Sequence, residues 1–197
     1  SDGSEATMCG NGSRCVGKFV YDKGLTEKKS VTLETLSGIK ILNLHVENGK
    51  VESVSVDMGK SQILTLGGNT TPFVNQPITA KGITMNGTAV SMGNPHLVFF
   101  VENAEIFDVA SVGPAFEHHP WFENRTNVEF AQILSPAKIR MRVWERGSGI
   151  TMACGTGACA AFAAAKECGL VNGKTTLVLD GGELQIENSS TNGDVIM

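Results

Sequence analysis

The 197-residue sequence has one tyrosine and two tryptophans against twenty-three glycines, which reads as a turn-rich chain rather than a helical bundle. It lacks a long apolar run. The longest strongly apolar stretch, HLVFFV, falls far short of the roughly 18 residues a membrane helix needs, so no membrane partner is expected. It lacks a basic stripe as well. Formal net charge is −4, and the Lys and Arg residues are scattered, which argues against nucleic acid. No C-x-x-C pair occurs, and the five cysteines are odd in number. Three of them (Cys154, Cys159 and Cys168) lie in or beside one helix-like run. That is poor placement for a disulfide framework and fits a reducing compartment, with the cytoplasm as the expected location. Hydrophobic residues make up 41% of the chain, enough for one large domain or two small ones with real cores.

What the sequence does contain is a repeat. TMCGNGSRCVGKFVYDKGL runs from Thr7 to Leu25, and MACGTGACAAFAAAKECGL from Met152 to Leu170. Both read Cys-Gly-x-Gly, then a helix-like stretch, then Gly-Leu; Cys9 and Cys154 are 145 positions apart, and so are Leu25 and Leu170. Helices are expected from Gly10 to Gly24 and from Gly155 to Gly169, each closed by a glycine. After each comes a polar stretch, a strand, a glycine-containing break (LSG, DGG) and another strand. ENGK between ILNLHV and VESVSVDM predicts a hairpin turn. MNGT reads as a second turn, NAEIFDVASVGPAFEHHP as a short helical segment, and NVEFAQIL and KIRMRVWERG as strands. The opening SDGSEATM is polar and loop-like.

The fold class expected is α+β. Two pseudo-repeat domains, residues 1–57 and 58–197, would each wrap a curved, mainly antiparallel, barrel-like sheet around a central helix. The first begins almost on top of its cysteine and so reads as incomplete. Unpaired strand edges there invite association, and a homodimer is an expected state.

Four chemistries are open to Cys9 and Cys154. They can be small buried apolar residues, although the flanking glycines suit close backbone approach to a ligand better. They can bind metal, but Cys9/Cys15 and Cys154/Cys159 sit about 120–140° apart around a helix and cannot readily share one ion, so no metal is expected. They can form a Cys9–Cys154 disulfide, which a reducing compartment disfavours. Or they can be a catalytic pair. A helix N-terminus lowers a thiol's pKa. Two thiols from pseudo-equivalent halves can face one carbon from opposite sides, one taking a proton and the other returning one. Backbone N–H groups at Gly10–Asn11 and Gly155–Thr156 would then cradle a carboxylate and its developing charge. Such a site needs no pyridoxal phosphate, and no cofactor is expected.

MCGNGSRC, GNPH, NRTNVEF, WERGSGITMACGTGACA and LDGGEL together closely resemble the diaminopimelate epimerases, a family of pyridoxal-independent isomerases. The resemblance implies an enzyme that interconverts LL- and meso-diaminopimelate on the route to lysine and peptidoglycan precursors. It makes Cys9 and Cys154 the acid/base pair, with His96 of GNPH tuning the first and Glu145 of ERG the second. Arg146 resembles the clamp for the substrate's far carboxylate, and Asn94 and Asn127 the asparagines that hydrogen-bond it. Glu145, Gly10, Asn11, Gly155 and Thr156 complete the implied substrate-binding set. Cys15, Cys159, Cys168, His45, His118 and His119 match no implied role. The family's binding asparagine before DGSE, its earlier GND strands and its later TGPA segment lie outside this sequence. Two alternatives remain: a proline or hydroxyproline racemase-type enzyme, whose one-ended substrate has no use for Arg146, and a non-catalytic amino acid-binding relative, which needs neither thiol.

Overall fold

A computed structural model describes residues 8–197; of the opening loop-like stretch only Met8 falls inside it. The elements in chain order are α1 (Gly10–Asp22), β1 (Ser30–Thr35), β2 (Gly38–Glu47), β3 (Lys50–Val56), β4 (Gln62–Ile63), β5 (Gln76–Ala80), β6 (Ile83–Ser91), β7 (Pro95–Phe100), α2 (Val109–Glu117), β8 (Asn127–Ser135), β9 (Lys138–Glu145), β10 (Gly149–Ile150), α3 (Gly155–Glu167), β11 (Thr175–Leu179), β12 (Gly182–Asn188) and β13 (Val195–Ile196). Strands β1, β2 and β3 form one antiparallel sheet. The other ten form a second, curled sheet along the path β13-β12-β11-β9-β8-β7-β6-β4, with β10 beside β9 and β5 beside β6. Pairs β7/β8 and β9/β11 are parallel and the rest antiparallel. The architecture is α+β, with curled mixed sheets forming a half-barrel.

The sequence repeat is a structural repeat down to single hydrogen bonds. Cys9 caps α1 at φ −133°, ψ 105°, and Cys154 caps α3 at φ −129°, ψ 112°. At the far ends, Lys23, Gly24 and Leu25 donate to the carbonyls of Phe19, Tyr21 and Val20. Cys168, Gly169 and Leu170 donate to those of Ala164, Lys166 and Ala165, each pair displaced by the same 145 positions. Gly24 and Gly169 both adopt φ +69°, the left-handed conformation that closes a helix and that glycine adopts without a Cβ penalty. Strand β1 then begins at Ser30 and β11 at Thr175, again 145 apart.

The two helices differ in how deeply they sit. From Ala158 to Ala165 every residue of α3 is buried, because six alanines and a cysteine let strands close around it. Only Gly10, Ser13 and Gly17 are buried in α1, which lies on β2 and β3. Gly17 has no room for a side chain, since an added Cβ would stand 2.9 Å from Leu44. Leu42 and Leu44 face α1, so the alternate residues Ile39 and Ile41 point to the other face of β2, where both are exposed. The chain end returns to the link between the sheets. Val56 donates to and accepts from Met197, Met58 donates to Val195, and Asp57 bridges Ile196.

The ENGK turn forms as expected, with Asn48 and Gly49 at φ 48° and 75°, the geometry of a two-residue hairpin. MNGT does not turn. Strand β6 runs straight through Asn86–Gly87, and the reversal lies at Lys81–Gly82, both at positive φ. Gly87 is there for packing: an added Cβ would meet Leu97 and Phe99 at 2.9 Å. Phe99 in turn stacks with Phe130 and packs edge-on against Phe116 of α2, at ring separations of 5.8 and 4.7 Å.

Helix α2 carries the expected helical segment, capped by the Asp108 carboxylate, which accepts from Ser111 N–H at 3.1 Å. It presses against Trp144 at the end of β9. A Cβ on Gly113 would stand 2.6 Å from Trp144 Cβ and Cγ. Gly113→Ala should therefore cost about 1–3 kcal/mol by overpacking and displace the turn that follows Trp144. Urea denaturation measures the first effect; an unchanged midpoint would contradict this account of the packing.

Candidate active site

Helices α1 and α3 meet start to start. A Cβ on Gly155 would lie 3.6 Å from the Gly10 Cα, and one on Gly10 would lie 2.8 Å from Met197 Cε. Glycine at both positions is what lets the two backbones approach. Between the helix starts is a cavity of about 240 Å³, lined by Met8, Cys9, Gly10, Asn11, Asn94, Asn127, Glu145, Ala153, Cys154, Gly155 and Thr156. It brings together nine of the eleven residues singled out from the sequence. The other two are placed differently. Arg146 lines an adjoining cavity of about 440 Å³ with Arg125, Trp121 and Asn124, and Asn94 belongs to both walls. His96 is fully buried behind Asn94.

Each cysteine sulfur accepts a backbone N–H from the third residue onward, Gly12 to Cys9 at 3.4 Å and Gly157 to Cys154 at 3.3 Å. Thr156 Oγ1 is 3.6 Å from Cys154 Sγ. The surroundings then diverge. Cys9 is exposed and Cys154 buried. Burial pushes the Cys154 thiol up to about 12, and the Glu145 and Glu129 carboxylates push the same way, against the hydrogen bonds from Thr156 and Gly157. The helix start alone would lower it; here desolvation wins. Cys159 is displaced upward by burial in the α3 core, and a neutral thiol there packs as a small apolar residue. Cys15 is exposed on α1, and Cys168 Sγ lies 3.7 Å from Thr88 Oγ1 at the other end of α3. All five are free thiols.

The polar side chains are held by second partners. Glu145 accepts from the Thr151 hydroxyl. Asn127 accepts from the Arg146 N–H at 3.0 Å and donates to the Pro95 carbonyl at 3.1 Å, tying the ERG turn to the GNPH loop. The Arg146 guanidinium donates to the Asn124 carbonyl at 3.1 Å. Asn11 is oriented by Arg14, whose guanidinium donates to it at 2.7 Å. His96 is bonded to Asn94 Oδ1 at 3.1 Å and to Glu129 Oε1 at 2.7 Å.

Three of these supports, Arg14, Glu117 and Glu129, were not anticipated. Glu117 is buried under the ERG turn and accepts from Gly147 N–H at 2.9 Å, Trp144 Nε1–H at 2.6 Å and Arg125 at 3.2 Å. Burial alone would raise its pKa, but these donors and His118 hold it below the ordinary carboxylate value. Glu129 carried a legible signal: a carboxylate inside NVEFA, five consecutive buried residues of β8, has no water to face and must have a partner.

The fold that carries these two helix starts is shared with solved structures of epimerase and PhzF type. A hydroxyproline epimerase from Agrobacterium vitis superposes on all of this chain and 64% of its own, with a TM-score of 0.73 at 16% identity. A PhzF-family phenazine biosynthesis protein from Bacillus anthracis gives 0.68 at 13%, covering the whole chain and 73% of its own. At those identities the likeness is one of fold.

The sequence comparison is narrower. The diaminopimelate epimerase family model matches residues 1–64 and 88–197. The diaminopimelate epimerases of Phocaeicola vulgatus and Methanococcus maripaludis are 53% and 49% identical across the whole chain, which spans 71% and 73% of their lengths. The chain belongs to the diaminopimelate epimerase family, a family of isomerases.

The two Cys-Gly-x-Gly motifs should respond unequally to the same change. A Cβ on Gly12 would meet only Cys9's own Sγ and Cβ, at 3.4 and 3.5 Å. A Cβ on Gly157 would stand 2.6 Å from Glu129 Oε1 and 3.2 Å from Cys154 Sγ. Gly157→Ala should therefore lower kcat/KM by about a hundredfold, the scale of a misplacement near 1 Å, and Gly12→Ala far less. Steady-state kinetics of the two variants checks this; equal losses would contradict it.

Proposed function

We propose that the protein interconverts LL- and meso-diaminopimelate by proton transfer between two cysteines. The observation that carries this reading is the shared cavity, entered by Cys9 from α1 and Cys154 from α3. One sulfur, as thiolate, takes the α-proton. The electron pair of the broken C–H bond moves toward the substrate carboxylate, where the N–H groups of Gly10, Asn11, Gly155 and Thr156 stabilise the added charge. The other sulfur, as thiol, gives its proton to the opposite face. The new C–H bond inverts the centre, and the enzyme is left with its protons exchanged between the two sulfurs. No further reactant is consumed.

The distal half of a two-ended amino acid fits the adjoining cavity. Arg146 lies there, and a guanidinium can hold a carboxylate through two parallel hydrogen bonds. Asn94 and Asn127 wall the reacting cavity and fix its loops. Glu145 serves as the carboxylate that exchanges a proton with Cys154, and its charge weighs against the Cys154 thiolate. The resemblance has His96 tuning Cys9; its two ring nitrogens face Asn94 and Glu129, and we assign it instead to act through Asn94 on the Cys154 side. A proline-type substrate leaves the Arg146 cavity without a purpose, and a binding protein leaves both thiols without one. The same reading sets the protein in lysine and peptidoglycan precursor synthesis, in the cytoplasm, as a homodimer.

Cys9→Ala and Cys154→Ala should each lower epimerisation by at least about 10²–10⁴-fold, the worth of one acid/base group. Each should still eliminate a leaving group from a halogenated analogue of one stereoisomer, which needs a base on one face only, and the two should prefer opposite stereoisomers. A Cys9→Ala enzyme that epimerises at the wild-type rate would refute the reading.

A further inference from the structure

Glu129 is fully buried, makes one contact of 2.7 Å to His96 Nδ1, and leaves its Oε2 without any partner among the described residues. As a structural ion pair this is poor construction. A buried anionic oxygen without a donor is costly, and apolar residues in place of a buried pair are often neutral or stabilising. The parallel pairing of β7 and β8 explains how the two meet. His96 is in register with Asn127, and Glu129, two residues on, shares that face.

We propose that Glu129 is a positioning residue of the site: it shares one proton with His96 and thereby fixes the direction of a hydrogen-bond chain that ends on the Cys154 sulfur. The inference rests on the reading of Cys154 as one of the two acid/base thiols. Its logic is donor and acceptor parity. Asn94 Oδ1 can only accept, so the His96 Nε2 facing it at 3.1 Å carries a hydrogen. The Nδ1–Oε1 contact needs one more proton between its atoms, on the carboxyl or on the ring. Either way the pair is net neutral. Burial, with Glu145 adding to it, favours the protonated carboxyl against the pull of His96, and in that form the lone Oε2 is a neutral carbonyl oxygen.

With Oδ1 committed to His96, Asn94 turns its Nδ2 to Thr156 Oγ1 at 3.5 Å. The Thr156 oxygen accepts, and its own hydrogen is left to donate to Cys154 Sγ at 3.6 Å. Were the Nε2 hydrogen removed, Asn94 would gain by reversing. Thr156 would then donate to Asn94, and the sulfur would lose that donor. The charged and titratable groups around Cys154 are Glu145 from β9, Glu129 from β8 and Cys159 on its own helix. The Thr156 hydroxyl and the Gly157 N–H are the hydrogen-bond donors that favour its thiolate.

The direct test is nitrogen-15 NMR of histidine-labelled, unliganded enzyme near neutral pH. His96 should show a protonated Nε2; a bare Nε2 with a proton on Nδ1 alone would overturn the proposal whatever the enzyme's activity. Kinetics gives a second arm. Glu129→Leu should lower kcat about tenfold, the scale of one lost hydrogen bond to a charged group, with little change in KM. It should also move the pH dependence of Cys154 alkylation upward. Glu129→Gln, whose amide can donate to Nδ1, should recover most of the loss. Combining Glu129→Leu with Thr156→Val should cost no more than Thr156→Val alone, because both break the same chain. Additive losses, or a Gln variant as impaired as Leu, would overturn the proposal. If the Leu variant does not fold, the NMR result and the Gln variant decide. A Cys154→Ala enzyme that stays active would sink the two-thiol reading and leave the tautomer result standing.

Discussion

Where α1 and α3 meet at Gly10 and Gly155, two helix N-termini point at one small volume. Each carries the equivalent of about half a positive charge and a fan of unsatisfied N–H groups. Two such ends repel each other and attract anions, so the arrangement is a poor way to fill a core and a good way to bind a carboxylate. Glycine at both contact positions sets the distance, and Met197 and Met58 close the space behind it. Strand β13, which brings Met197 there, is paired with the link between the two sheets. The position of the cavity thus depends on contacts from both repeats.

The surrounding charges oppose the helix ends on one side only. The Glu145 carboxylate stands near Cys154, while Asn11 and Arg14 stand near Cys9 on α1. A pseudo-symmetric scaffold therefore holds two thiols with unlike surroundings, one exposed and one desolvated. Unlike surroundings are what a pair of groups needs if one is to be ionised while the other keeps its proton.

Much of this was legible in the sequence, because the repeat is written in residues with strong local rules. Cys-Gly-x-Gly and Gly-Leu mark both helices to within two residues of their ends, and Asn48–Gly49 marks its hairpin. The same Asn-Gly pair at 86–87 misled. There the glycine answers to Phe99 across the sheet, and a tertiary contact leaves no trace in local turn chemistry. The site residues were legible as motifs, but their connections were not. That His96 meets Glu129 depends on the register of β7 with β8, and that Arg146 opens on a separate cavity depends on the turn after β9, which Asn127 holds. Glu117 and Glu129 lie outside the quoted motifs' expected roles. Burial, which the fold decides, turns Glu117 into a support for the ERG turn; Glu129 stands out as a carboxylate in the apolar run of β8, but the fold alone supplies its partner His96.

The account stands on two acid/base groups, one on each face of the substrate carbon. Its most direct measurement is a single turnover of one diaminopimelate stereoisomer in D₂O, with deuterium at the α-carbon read by mass spectrometry in both recovered substrate and product. Two thiols that face opposite sides place solvent deuterium in the product while the recovered substrate keeps its original hydrogen. Equal deuterium in both, or transfer of the original hydrogen into the product, would mean that one group serves both faces, and would contradict the assignment of Cys9 and Cys154.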